Sequence, residues 1–118
     1  MKTILIVDDD IEMRTLLRLI LKREGYKILE ADNGEAALDL AKVNIPNLII
    51  SDIMMENING FMLFEFLLDD PLTQNIPMIL VTGKAQNAGA WKMDPRIAYL
   101  EKPVAPIDLL DAVKKKIA

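Results

Sequence analysis

The runs "TILIV" (residues 3–7), "LIIS" (48–51) and "MILV" (78–81) show almost no polar alternation. A strand with one wet face alternates apolar and polar side chains, whereas a strand covered on both faces has no reason to. These runs therefore direct the chain towards a parallel sheet sandwiched between helices.

Strands are predicted near 3–7, 27–31, 47–51, 77–81 and 97–100, and helices near 10–24, 34–43, 60–69, 85–92 and 106–117. Five βα units in 118 residues imply one doubly wound α/β domain spanning 1–118. Punctuation agrees with these boundaries. Gly25 can end the first helix, Asn33-Gly34 turns into the second, and Pro46 and Pro77 stand just before strands. Aromatics are few, with three Phe, two Tyr and one Trp, so Leu, Ile, Val and Met must fill the interior.

Composition excludes several chemistries. There is no His and no Cys, which removes Ser-His-Asp and Cys-His catalysis, the common zinc sites and any disulfide framework. A formal charge of −4 argues against nonspecific nucleic-acid binding. The basic run Lys114 to Lys116 closes the last predicted helix, where it complements the helix dipole. No apolar run approaches the roughly 18–20 residues needed to cross a bilayer, and the apolar tract at the start is too short for a signal peptide. A cytoplasmic protein is expected.

The first strand ends in "VDDD", three adjacent carboxylates at Asp8, Asp9 and Asp10, and the third ends in "SDIMM", with Asp52. In an open parallel sheet, ligands sit beyond the carboxyl ends of the strands where the winding reverses. If strands one and three are neighbours there, Asp8, Asp9 and Asp52 share a pocket. Two carboxylates about 5 Å apart repel by roughly 3 kcal/mol at an effective dielectric of 20. A hard divalent cation removes that cost, and Mg²⁺ favours one or two carboxylates with water and phosphate oxygens. The simpler reading is that Asp9 or Asp10 caps the first helix, with Glu12 completing a box-like pattern after Asp9. Thr82 after strand four and Lys102 after strand five add a hydroxyl and a compact cation at the same edge, a set suited to a phosphoryl group.

"VDDD", "SDIMM" with Gly60 eight residues past Asp52, "VTG" and "YLEKP" together resemble the receiver domain of response regulators in two-component signalling, over essentially the whole chain. The resemblance implies a flavodoxin-like five-stranded parallel sheet in the order 2-1-3-4-5 with five helices. It implies that Asp52 accepts a phosphoryl group from a phosphohistidine on a sensor histidine kinase or phosphotransfer protein. Asp8 and Asp9, with Asp52 and the backbone carbonyl of Met54, would hold Mg²⁺. Thr82 and Lys102 would sense the phosphoryl group, Tyr99 would report the state through its rotamer, and Lys102-Pro103 would be a cis peptide. Met54 and Lys84 occupy positions that tune phosphate lifetime, and an apolar Met54 implies slow self-dephosphorylation. Such a domain is a switch, not a multiple-turnover enzyme, and is expected as a monomer or weak dimer. Its output would run through a partner protein or an effector domain outside this sequence.

The sequence departs from the family pattern at Glu56 (usually Pro), Asn59 (usually Asp) and Val104 (often Phe). The stretch from Thr82 to Tyr99 is slightly short and lacks the usual Gly-Ala, so the helix at 85–92 is expected to be short or irregular. Two rival readings remain at this stage. One is a receiver-like adaptor that is never phosphorylated. The other is a small Mg²⁺-dependent phosphatase, because "DDDIE" contains the D-x-D spacing of aspartate-nucleophile enzymes. "FMLFEFLL" (61–68) is read as a helix packed on the sheet, with an exposed partner patch as the sharper alternative. Trp91 is read as core or as a partly exposed reporter on the 85–92 helix.

Overall fold

A computed structural model describes residues 1–83 and 94–117. Five parallel strands form one sheet in the order β2-β1-β3-β4-β5: β1 (Thr3–Val7), β2 (Lys27–Ala31), β3 (Leu48–Asp52), β4 (Met78–Thr82) and β5 (Ile97–Glu101). Four helices lie among the described residues: α1 (Ile11–Arg23), α2 (Gly34–Asn44), α3 (Gly60–Leu68) and α4 (Pro106–Ile117). The helix predicted at 85–92, together with Lys84 and Trp91, lies outside them.

The unpatterned strands are buried on both sides, for the reason their sequence suggests. Leu5, Val7, Ile49, Met78 and Leu80 meet Ala37 and Ala41 of α2 and Leu63, Phe64 and Leu67 of α3. The alternate residues Ile4, Ile6, Leu48, Ile50, Ile79 and Val81 meet Leu17 and Leu21 of α1 and Leu109, Val113 and Ile117 of α4. Four-residue spacing puts each helical set on one stripe, and two-residue spacing divides each strand between two cores. Phe64 is buried while Met62 and Phe66 reach the surface, so "FMLFEFLL" is a helix packed on the sheet with its apolar side spilling outwards.

Strands β3, β4 and β5 each run one residue further than predicted. The ladder continues through Asp52↔Val81 and Thr82↔Glu101. Asp52 and Thr82 are thus last rungs of the sheet, not free loop residues. Helix α1 is shorter than predicted because Asp10 is its cap, accepting from the Glu12 N–H, and Glu24 ends it. Gly25 follows at φ +90, the left-handed turn that glycine permits. Asn33 and Asn59 cap α2 and α3 by accepting from the N–H groups of Ala36 and Met62. Asn59, one of the family departures, therefore keeps a capping function. The Lys102–Pro103 peptide is cis. Among the described residues no helix is long and apolar enough to cross a membrane.

Gly60 begins α3 directly against the end of β3. A Cβ there would meet the Asp52 carbonyl oxygen at 2.8 Å and the Ile53 Cα at 3.1 Å, both backbone atoms that cannot swing aside. Gly60→Ala is expected to lower stability by about 1–3 kcal/mol, the usual range for overpacking. The check is a lower urea midpoint with an unchanged denaturant slope.

Candidate functional site

Beyond the carboxyl ends of β1 and β3, where the winding reverses, the structure gathers residues far apart in sequence. Carboxylate oxygens of Asp8, Asp9 and Asp52 all lie within 4.8 Å of one another. Asp8 and Asp52 are buried, and Asp9 is exposed at the rim. The Lys102 Nζ arrives from the end of β5, 3.2 Å from Asp52 Oδ2 and 3.9 Å from Asp8 Oδ2. Its approach is guided by the Lys102 N–H, which donates to the Thr82 carbonyl at 2.8 Å.

The three adjacent acids divide their tasks. Asp10 caps α1. Asp8 accepts from the Asp10 N–H at 2.9 Å, which turns its carboxylate inward. That leaves Asp9 beside the buried pair. The capping alternative therefore holds for Asp10, and Asp8 and Asp9 belong to the cluster. The D-x-D spacing of Asp8 and Asp10 loses its second acid to the helix cap.

Asp52 Oδ1 accepts from the Met54 N–H at 3.2 Å, leaving Oδ2 to Lys102. Thr82 is buried at the end of β4, one register step beyond the Asp52–Val81 rung. Tyr99 is not at the cluster. It sits further back on β5, opposite Leu80, with its hydroxyl buried and unpartnered among the described residues. Burial, then the charge of Asp94, pushes the Tyr99 phenol up from its ordinary value. The Met54 side chain is exposed.

Burial raises the Asp8 pKa above the ordinary carboxylate value; the Asp10 N–H opposes this, Asp52 and Asp9 add to it, and Lys102 partly relieves it. Three carboxylates and one ammonium leave the pocket negative. Converging hard oxygen donors with uncompensated charge fit a hard divalent cation such as Mg²⁺.

Sequence reading did not single out Arg14 and Glu30. Arg14 Nη1 donates to the Asp8 carbonyl at 2.7 Å, and its Nε donates to Glu30 Oε1 at 3.3 Å. Two arginines four apart on α1, facing an acid on the neighbouring strand, are the signal that could have found them. The lysines at the end of α4 are engaged internally, Lys115 with Asp111 at 3.1 Å and Lys116 with the Pro95 carbonyl at 2.8 Å.

A raised carboxyl pKa means that the folded state holds the proton more tightly than the unfolded one. The Asp8 contribution to stability is therefore greatest at low pH and is lost as the pH rises through the raised value. Asp8→Asn, which keeps the oxygen facing the Asp10 N–H, is expected to stabilise the metal-free protein at neutral pH. That gain should shrink as the pH falls towards the ordinary carboxylate range, measured by urea unfolding in EDTA.

Comparison with known proteins agrees with this geometry. The family model for the response regulator receiver domain matches residues 4–114. Protein PilH of Pseudomonas aeruginosa is 36% identical over 120 residues, covering 100% of this chain and 99% of that protein. Histidine kinase P4 of Formosa agariphila is 43% identical over 83 residues, which is 70% of this chain and only 6% of that kinase. Among solved structures, the receiver domain of a Pseudomonas aeruginosa sensor histidine kinase, with a magnesium ion coordinated in its active-site cleft, superposes with a TM-score of 0.89. It is 21% identical and covers 98% of this chain and 97% of that one, a likeness of fold. From its strand order, its edge chemistry and its sequence match, the chain belongs to the response regulator receiver domain family.

Proposed function

We propose that this receiver is a phosphorylation-controlled switch in which Asp52 accepts a phosphoryl group from a phosphohistidine on a sensor histidine kinase or phosphotransfer protein. The observation that carries this reading is the Lys102 Nζ, 3.2 Å from Asp52 Oδ2, beside carboxylates converging within 4.8 Å. An Asp52 carboxylate oxygen forms the new O–P bond as the donor N–P bond breaks, and that bonding pair returns to the imidazole nitrogen. Lys102, already paired to Asp52, then faces the oxygens of the acyl phosphate. Thr82, at the end of the adjacent strand, is assigned as the hydroxyl that senses them, and Tyr99 as the residue whose rotamer follows.

Asp8, Asp9 and Asp52 would hold Mg²⁺, with the Met54 backbone carbonyl as a further ligand. Bound there, the ion supplies charge neutralisation for the transferring phosphoryl oxygens. The relative whose cleft holds magnesium supports this assignment by analogy of fold. Positioning and electrostatics do most of the work in such transfers. We assign the domain catalysis of its own modification alone, and no turnover of outside substrates. We assign it a cytoplasmic location and signalling through protein partners, without direct nucleic-acid contact, as a monomer or weak dimer. Met54 and Lys84 are assigned as the positions that set phosphate lifetime.

Incubation with acetyl phosphate and Mg²⁺ should add the mass of one phosphoryl group to the intact protein. Asp52→Asn, or EDTA, should abolish that gain. An unmodified wild type would instead favour an adaptor that works without phosphorylation. The exposed Met54 thioether is only a weak acceptor and holds an attacking water poorly. Met54→Asn should therefore shorten the lifetime of the acyl phosphate about tenfold, equivalent to about 1.4 kcal/mol of barrier. Decay followed by mass spectrometry checks it, and an unchanged rate would count against the assignment.

A further inference from the structure

The sheet ladder of β1 ends at Val7, and the helical ladder of α1 begins with the Arg14 N–H donating to the Asp10 carbonyl at 3.1 Å. Asp8 lies in the gap between the two. Its N–H reaches the Ala31 carbonyl at 3.1 Å, and its Oδ1 takes the Asp10 N–H. Its own carbonyl belongs to neither ladder. Arg14 takes that carbonyl with Nη1 at 2.7 Å. The same residue thus closes the first helical bond on Asp10 and clamps the backbone of Asp8.

The clamp is anchored from outside the turn. Arg14 Nε donates to Glu30 Oε1 at 3.3 Å, and Arg18 Nη1 holds the other Glu30 oxygen at 2.7 Å. Glu30 sits on β2 opposite Ile6, so the guanidinium is fixed to the sheet itself. The Arg14 side chain is 14% exposed, sheltered enough for charge-assisted bonds to hold a geometry. Its planar fork serves two acceptors in different directions, which a single lysine nitrogen cannot reproduce.

We propose that Arg14 is a positioning residue for the Asp8–Asp9 cation site, locking the β1–α1 turn so that both carboxylates stay aimed at Asp52. This rests on the reading of that cluster as a Mg²⁺ site. Charge and geometry predict opposite outcomes. A cation near the cluster repels Mg²⁺, so an electrostatic role would make removal of Arg14 tighten binding. A positioning role makes removal weaken it.

Calorimetric titration of Mg²⁺ into the full chain separates these. Arg14→Met and Arg14→Lys are each expected to weaken Mg²⁺ binding by about tenfold, the lower end for partners that orient metal ligands. Arg18→Met leaves both Arg14 bonds in place, to the Asp8 carbonyl and to a Glu30 that β2 itself positions, and should leave Mg²⁺ affinity unchanged. If Arg14→Met does not fold, Arg14→Lys carries the same test with the charge retained. Equal or tighter binding by the Arg14 variants, or an equal loss in Arg18→Met, would overturn the positioning role alone. A wild type that gives no Mg²⁺ heat and no Mg²⁺-dependent rise in melting temperature would overturn the cation site itself, and this inference with it.

Discussion

Asp8 and Asp52 end neighbouring strands with their carboxylates buried, close enough to repel, and the Lys102 ammonium reaches both. Neither can move aside to relieve the repulsion: Asp52 is the last rung of a ladder packed on both faces, and Asp8, one residue past its strand, is tied to the Ala31 carbonyl and the Asp10 N–H. The strain is electrostatic and local, and it is set against cores that are almost wholly apolar. Much of the site's chemistry follows from that arrangement. Asp8 is held above its ordinary pKa chiefly by burial, and the pocket as a whole favours any hard cation that offsets its charge.

The frame is what makes the crowding tolerable. Each central strand contributes alternate residues to two cores, so a single sheet carries both layers of helices. A one-residue slip of β3 against β4 would exchange Ile49 and Ile50 between those cores and carry Asp52 away from Asp8. The register is therefore specified by packing throughout the strand, while the functional groups occupy only its end.

Much of this was legible in the sequence because the relevant signals are local or periodic. Unalternating strands gave the parallel sheet, Asn33 and Gly25 gave helix ends, and acids at two strand ends gave the pocket. What was not legible depends on direction. Which of Asp8, Asp9 and Asp10 would cap α1 is decided by where the chain turns after Val7, and no composition rule distinguishes three identical neighbours. The grip of Arg14 on the Asp8 carbonyl needs the β1–β2 register to bring Glu30 alongside α1, a pairing that spans 16 residues. Polarity makes Asp52 and Thr82 look like loop residues, yet they form final rungs of the sheet.

The connection leaving Asp52 is drawn shut at its neck, since the Gly60 N–H donates to the Ile53 carbonyl at 3.0 Å and no side chain fits between Gly60 and the Asp52 backbone. The loop beyond that neck does not swing free: Glu56 and Asn57 line one hollow with Asp9, and Ile58 lies so close to Gly34 of α2 that a Cβ there would meet it at 2.6 Å. A tether closed at its base and docked at its tip passes a change of residue on to the rim of the acidic pocket.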